Sequence, residues 1–61
     1  MTRILIVDDE EKVRNMYNAM LVNEGFEVLN ASDAMQASCI LNKETVDIML
    51  LDIKMPRVYG S

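Results

Sequence analysis

The chain has no histidine and a single cysteine among its 61 residues. A lone thiol, Cys39, cannot close an intramolecular disulfide, and without histidine or a second cysteine no structural zinc site can form. Cys39 falls within a predicted helix, where a small core or flanking residue is expected, and a free thiol fits a reducing compartment. A chain this short makes at most one small domain and buries only about 60% of its unfolded surface. Cations are also scarce: six Lys and Arg stand against ten Asp and Glu, for a net charge of −4. Nucleic-acid binding needs clustered Lys and Arg, so it is not expected of this segment. No apolar run approaches the ~20 residues that cross a bilayer, and Asp8-Asp9-Glu10-Glu11 interrupts the N-terminus too early for a secretory signal. Proline, glycine and serine nowhere gather into a linker, and no repeat occurs. A cytoplasmic chain without a membrane partner is expected. The absence of histidine and of an activated serine argues against an independent enzyme. The chain is 51% apolar, which excludes a disordered tail.

What is present is a pair of short apolar runs that end in acids. Ile48 to Leu51 is unbroken, and reads as a strand buried on both faces of a parallel sheet. Asp52 follows at once, where that strand should leave the sheet, and Pro56 prevents a helix from starting immediately. Ligands of open α/β sheets bind outside the carboxyl ends of the strands. By itself, Asp52 also reads as a turn cap. An earlier run, Arg3-Ile4-Leu5-Ile6-Val7, terminates in Asp8-Asp9-Glu10. If the two strands are parallel neighbours, Asp8, Asp9 and Asp52 converge at one edge of the sheet. Crowded carboxylates repel one another, and a hard divalent ion, Mg²⁺ above all, is their natural partner. The other reading of Asp8, Asp9 and Glu10 is as acids complementing the dipole of the next helix. A flavin or dinucleotide site does not fit, because such sites present glycines and backbone amides to phosphate, whereas Asp-Asp-Glu-Glu repels it.

Between the two runs, Val13, Met16, Tyr17, Met20 and Leu21 recur at helical spacing, and this stripe is expected to pack into the core rather than to form a methionine-rich groove. Glu10 and Glu11 suit the first turn of that helix, and Gly25 its C-terminal stop. Phe26 to Ala31 reads as a strand nearer the sheet edge. Asp33 and Gln36 have the spacing of a capping box, with Ala34, Ala37, Ser38 and Leu41 as the inward stripe of a second helix. Asn42-Lys43-Glu44-Thr45 closes that helix. Strands are thus predicted at about 3–8, 26–30 and 46–52, and helices at about 10–24 and 33–43. The β-α-β-α-β alternation argues a parallel sheet with right-handed crossovers.

These residues resemble the receiver domain of two-component response regulators. Ile4-Leu5-Ile6-Val7-Asp8-Asp9-Glu10 is similar to that family's first strand and acidic pair. Ala31, Ala34, Gln36, Ala37 and Leu41 resemble its second-helix pattern, with Ser38 where an apolar residue is usual. Val46-Asp47-Ile48-Met49-Leu50-Leu51-Asp52-Ile53-Lys54-Met55-Pro56 closely matches its third strand and phosphoacceptor loop. The resemblance implies that Asp52 is the phosphoacceptor, a carboxylate nucleophile supplied by a histidine kinase or a small phosphodonor. It implies further that Asp8, Asp9 and Asp52 hold Mg²⁺ together with the backbone carbonyl of Lys54. Such a metal neutralises charge on the transferring phosphoryl oxygens.

The implied fold is α/β, half of a flavodoxin-like doubly wound fold, with a three-stranded parallel sheet in the order 2-1-3 and two helices. Residues 1–61 would form a truncated receiver, because the family's fourth-strand Ser/Thr, switch aromatic and fifth-strand Lys have no counterpart among them. Arg57 and Tyr59 also stand where the family favours Gly and Asp. The alternative is an interaction or structural half-domain that self-associates and keeps the acidic site as a relic. In the 2-1-3 order the third strand is an edge, and Ile48-Met49-Leu50-Leu51 is too apolar for an exposed one. A homodimer is therefore expected, joined through the third strand or through the surface left open by the truncation.

Overall fold

β1 (Arg3–Val7) is the strand with a neighbour on each side. The computed structural model describes residues 1–51, and the chain continues through α1 (Glu11–Asn23), β2 (Glu27–Ala31), α2 (Ala34–Lys43) and β3 (Ile48–Leu51). The three strands are parallel in the order β2-β1-β3, the order and class expected from the sequence. The β-branched and leucine run of β1 suits this central place, since a strand paired on both edges and covered on both faces needs apolar residues throughout. Ile4, Leu5, Ile6 and Val7 are all buried.

Registered partners in a parallel sheet share a face, and successive residues alternate between faces. Leu5 and Val7 are registered with Leu29 and Ala31, and this face is closed by α2. Leu5, Val7, Ala31 and Ala37 form the buried cluster, with Leu29, Ile40 and Val46 packed against it. Ile4 and Ile6 share the opposite face with Val28 and Asn30. There α1 lies, its Asn18 exchanging two side-chain amide hydrogen bonds with Asn30, at 2.9 and 3.1 Å.

Local signals in the sequence account for the helix ends. Gly25 has φ +94°, its N–H donates to the Val22 carbonyl at 3.0 Å, and the Phe26 N–H donates to the Leu21 carbonyl at 3.1 Å. This pair of bonds is a Schellman stop, which needs a left-handed residue where only glycine is unstrained. At the start of α2, the Gln36 N–H donates to Asp33 Oδ1 at 2.8 Å. Gln36 Oε1 accepts in return from the N–H of Ser32 at 2.9 Å, one residue before the cap. A capping box proper would return that bond to Asp33 itself.

The faces that the two helices bury differ from the expected ones. In α1, Val13, Tyr17 and Leu21 are half-buried, whereas Met16 and Met20 stand 54% and 53% exposed. Arg14 and Asn18 are half-buried in their stead, held by polar bonds to Asp8 and Asn30. In α2, Ala37 is buried and Ile40 half-buried, while Ala34, Ser38 and Leu41 are exposed. Cys39 is exposed rather than a core or flanking residue. A helix resting on two short strands contacts them along a narrow line, so only Val13, Tyr17 and Leu21 of α1 and Ala37 and Ile40 of α2 are covered and the rest of each apolar stripe is not.

The largest difference lies in β3. Its four residues are 45%, 42%, 37% and 60% exposed in chain order, against the reading of the run as a strand buried on both faces, but in line with the apolar edge that the 2-1-3 order makes of it. β3 pairs with β1 along one edge, and among the described residues neither helix approaches it closely. α1 connects β1 to β2 and α2 connects β2 to β3, but both helices lie over β1 and β2, so the faces of β3 receive no cover from α1 or α2.

Candidate functional site

The site expected from the sequence begins where β1 leaves the sheet. The Asp8 N–H donates to the Ala31 carbonyl at 3.1 Å, the last rung of the β1–β2 ladder. Asp8 is 3% exposed and is the buried charged residue among those described. Its Oδ1 accepts from the Glu10 N–H at 2.9 Å, a local turn in which an aspartate side chain replaces a backbone acceptor. Its carbonyl accepts from Arg14 Nη1 at 2.6 Å, and the Arg14 N–H in turn donates to the Glu10 carbonyl at 3.1 Å. Asp9 and Glu10 are exposed. Glu10 is the N-cap of α1 without a side-chain cap bond, and Glu11 is the acid of the first turn, as the dipole favours.

Asp8 and Asp9 thus lie together at the end of the central strand, but in different settings, one buried and one in solvent. Val7 is registered with Leu51, the last described residue. Asp52 and Lys54, the other two ligands expected from the sequence, lie outside the described residues. Accordingly, no group of three acidic, histidine or cysteine side chains able to hold a metal occurs among the described residues.

Arg14 escaped the sequence reading. The available signal was its place: a cation near a helix N-terminus opposes the macrodipole and so needs a separate reason for being there. Helical side chains lean toward the N-terminus, which carries this guanidinium back over the turn to Asp8.

Residues 4–61 match the family described as the response regulator receiver domain. The chain belongs to that family. This receiver is 42% identical over 60 residues to the transcriptional regulatory protein CpxR of Klebsiella pneumoniae, covering 98% of the chain and 25% of that protein. It is 40% identical over 58 residues to sporulation initiation phosphotransferase F of Bacillus subtilis, covering 95% of the chain and 47% of the relative. Over 58 residues it is 36% identical to the CAI-1 autoinducer sensor kinase/phosphatase CqsS of Vibrio cholerae, covering 95% of the chain and 8% of that protein. The chain therefore spans less than half the length of each of these relatives. No solved structure matches it at the same level of significance. Receiver domains are in general signalling modules rather than enzymes. They accept phosphoryl groups in two-component systems, meet histidine kinases or phosphotransfer proteins, and bind Mg²⁺ at the phosphorylation site.

The residues in hand suit such an ion. Asp8 is a desolvated carboxylate whose Oδ1 has one donor, and among the described residues no donor reaches its Oδ2. Neither ion pair formed there involves it, since both belong to Arg3. A buried carboxylate oxygen without a partner is costly unless a cation meets it. Carboxylate oxygens without nitrogen or sulfur donors select hard divalent ions such as Mg²⁺.

Proposed function

We propose that residues 1–61 act in the cytoplasm as a phosphoacceptor module of a two-component phosphorelay. Asp52 is the acceptor, and Asp8, Asp9, Asp52 and the backbone carbonyl of Lys54 are the protein ligands of Mg²⁺. The observation that carries this reading is the buried Asp8 carboxylate, with one oxygen unclaimed among the described residues, at the end of the strand registered with β3. Asp52 is the residue that follows β3 in the chain.

In the transfer, a carboxylate oxygen of Asp52 forms a new bond to phosphorus. The bond from phosphorus to the donor breaks, and its electron pair leaves on the donor: the histidine nitrogen of a kinase, or the acyl oxygen of a small phosphodonor. Mg²⁺, when bound, offsets the negative charge that attacking carboxylate and phosphoryl oxygens bring together. Asp8 is positioned to share that work because its backbone and Oδ1 are already fixed, which leaves little reorganisation on binding. For residues 1–61 on their own transfer is expected to be slow, since none of them matches the lysine that pairs with the phosphoryl group in the family. Acetyl phosphate and Mg²⁺, followed by intact-mass measurement, test the reading. One phosphoryl group should accumulate slowly on the wild type and not at all on Asp52→Asn. Equal modification of both would refute it.

The exposed apolar residues of β3 favour a second reading, in which the 61-residue chain is an interaction module that self-associates and leaves the acidic site unused. A homodimer through β3, or through the apolar surface beside it, is compatible with either reading. Absence of modification together with stable dimers would favour the second.

A further inference from the structure

We propose that Arg14 is a positioning residue for the acidic site: by donating to the Asp8 carbonyl, its guanidinium holds the β1–α1 turn in the form that keeps the Asp8 carboxylate available to a divalent cation. The inference rests on the reading of Asp8 and Asp9 as Mg²⁺ ligands. It goes further in assigning a function to a residue outside the ligand set.

Three observations converge on this role. First, the Asp8 carbonyl has lost its strand partner. β2 ends at Ala31, the rung that would follow needs the N–H of Asp33, which is already the N-cap of α2, and among the described residues no backbone N–H donates to the Asp8 carbonyl. A buried carbonyl needs a donor, and Arg14 Nη1 supplies it at 2.6 Å across six residues. Second, the same turn carries the Glu10 N–H to Asp8 Oδ1 bond at 2.9 Å and the first α1 bond, Arg14 N–H to the Glu10 carbonyl at 3.1 Å. Arg14 therefore closes a ring of three hydrogen bonds through Asp8 and Glu10, and this ring sets which carboxylate oxygen is occupied. Third, Arg14 makes no ion pair among the described residues, where both salt bridges are those of Arg3. Its charge does not sequester the carboxylates it holds in place.

Charge and geometry predict opposite signs, which makes the role testable. A guanidinium near the site repels a cation, so a residue acting only through charge would weaken Mg²⁺ binding, and its removal would strengthen it. A positioning residue does the reverse. Partners that orient metal ligands from outside the ligand set are worth about 10- to 100-fold in metal affinity.

The experiment is a Mg²⁺ titration of the 61-residue chain, followed through the backbone amides of Asp8, Asp9 and Glu10, on the wild type, Arg14→Met and Arg14→Lys. Amide hydrogen exchange of Glu10 without metal is measured alongside, with the Gln36 amide, held by Asp33, as the check that α2 and the fold persist. Affinity should fall in the order wild type, Arg14→Lys, Arg14→Met, with the methionine variant about tenfold weaker. Exchange at Glu10 should accelerate in the same order. An ammonium, one atom shorter and without the planar fork, replaces the bond only in part. If Arg14→Met does not fold, Arg14→Lys carries the test, because a pure charge role leaves its affinity and its Glu10 exchange at the wild-type values. Binding by Arg14→Met that equals or exceeds the wild type overturns the inference. Wild-type binding that is lost in Asp9→Asn but unchanged in Arg14→Met overturns the Arg14 role alone. No wild-type shift near Asp8 and Asp9 overturns the site reading and this inference with it.

Discussion

Leu5 and Gly25 show how unevenly the fold depends on single side chains. Leu5 is fully buried at the centre of the cluster formed by Val7, Ala31 and Ala37. Truncating a buried leucine to alanine costs about 2–5 kcal/mol, whereas a domain of this length is stable by only about 3–9 kcal/mol at ~0.05–0.15 kcal/mol per residue. Leu5→Ala should therefore lose most or all of its cooperative urea transition, read by circular dichroism. Leu41→Ala, at an exposed position, should stay within about 0.5 kcal/mol of the wild type. Gly25 presents the opposite case. A Cβ added there would meet nothing within 4 Å, yet φ is +94°, so the difficulty is conformational and not steric crowding by neighbours. Gly25→Ala should cost about 1 kcal/mol, seen as a lower urea midpoint with an unchanged slope. An unchanged midpoint would mean that the helix stop does not require the left-handed residue.

The ends of the elements are tied by polar groups that read poorly as a pattern. Arg3 opens β1, and its guanidinium reaches Glu27 at the start of β2 at 3.3 Å and Glu44 after α2 at 3.0 Å. The same group reaches the Thr45 carbonyl at 3.4 Å. The Arg3 N–H donates to Asp47 Oδ2 at 2.8 Å, and its carbonyl accepts from the Asp47 N–H at 2.9 Å. One residue thereby joins the entry of β1 to the entries of β2 and β3. Partly exposed ion pairs are screened, so Arg3→Met should cost only about 1 kcal/mol, with the difference shrinking in high salt. A salt-independent loss would assign the effect to packing of the stem instead. The α2 cap is a separate contribution. Asp33→Ala removes the acceptor for the Gln36 N–H and should cost about 1 kcal/mol, with the greatest gain in amide exchange in the first turn of α2.

Among the described residues, the elements leave the β3 side of the sheet open. β3 offers four apolar residues, each more than a third exposed, and Met16, Met20 and Leu41 add exposed apolar surface on the helices. Edge strands of that composition pair with whatever strand they meet. In a longer chain, further residues could meet this edge; in a chain of 61 residues a second copy is the available partner. Two-fold pairing of β3 with β3 would be antiparallel at the junction, with each protomer parallel within. The folded state should then depend on protein concentration. Light scattering and circular dichroism across a dilution series should show dimers dissociating together with loss of structure. A well-folded monomer at micromolar concentration would rule the dimer out.

The parallel sheet and the place of the acids at the end of β1 could be read from the chain itself, because they follow from local chemistry, whereas the strand order came from the resemblance to the receiver family. Apolar runs of strand length, Gly25 after an amphipathic stretch and Asp33 three residues before Gln36 each act within a few positions of themselves. The family-like run through Asp8 and Asp9 belongs to the same class of signal. Burial did not follow from these signals. Ile48 to Leu51 is as apolar as β1, yet β1 is buried and β3 exposed, because burial depends on which elements cross over a strand and not on the strand's own residues. The same holds for Met16 and Met20, which have helical spacing but no sheet beneath them. Arg14 shows the reverse. A charged residue was drawn to the inward side because the carbonyl of Asp8 had run out of strand to pair with, a circumstance that exists only once β2 has ended beside it.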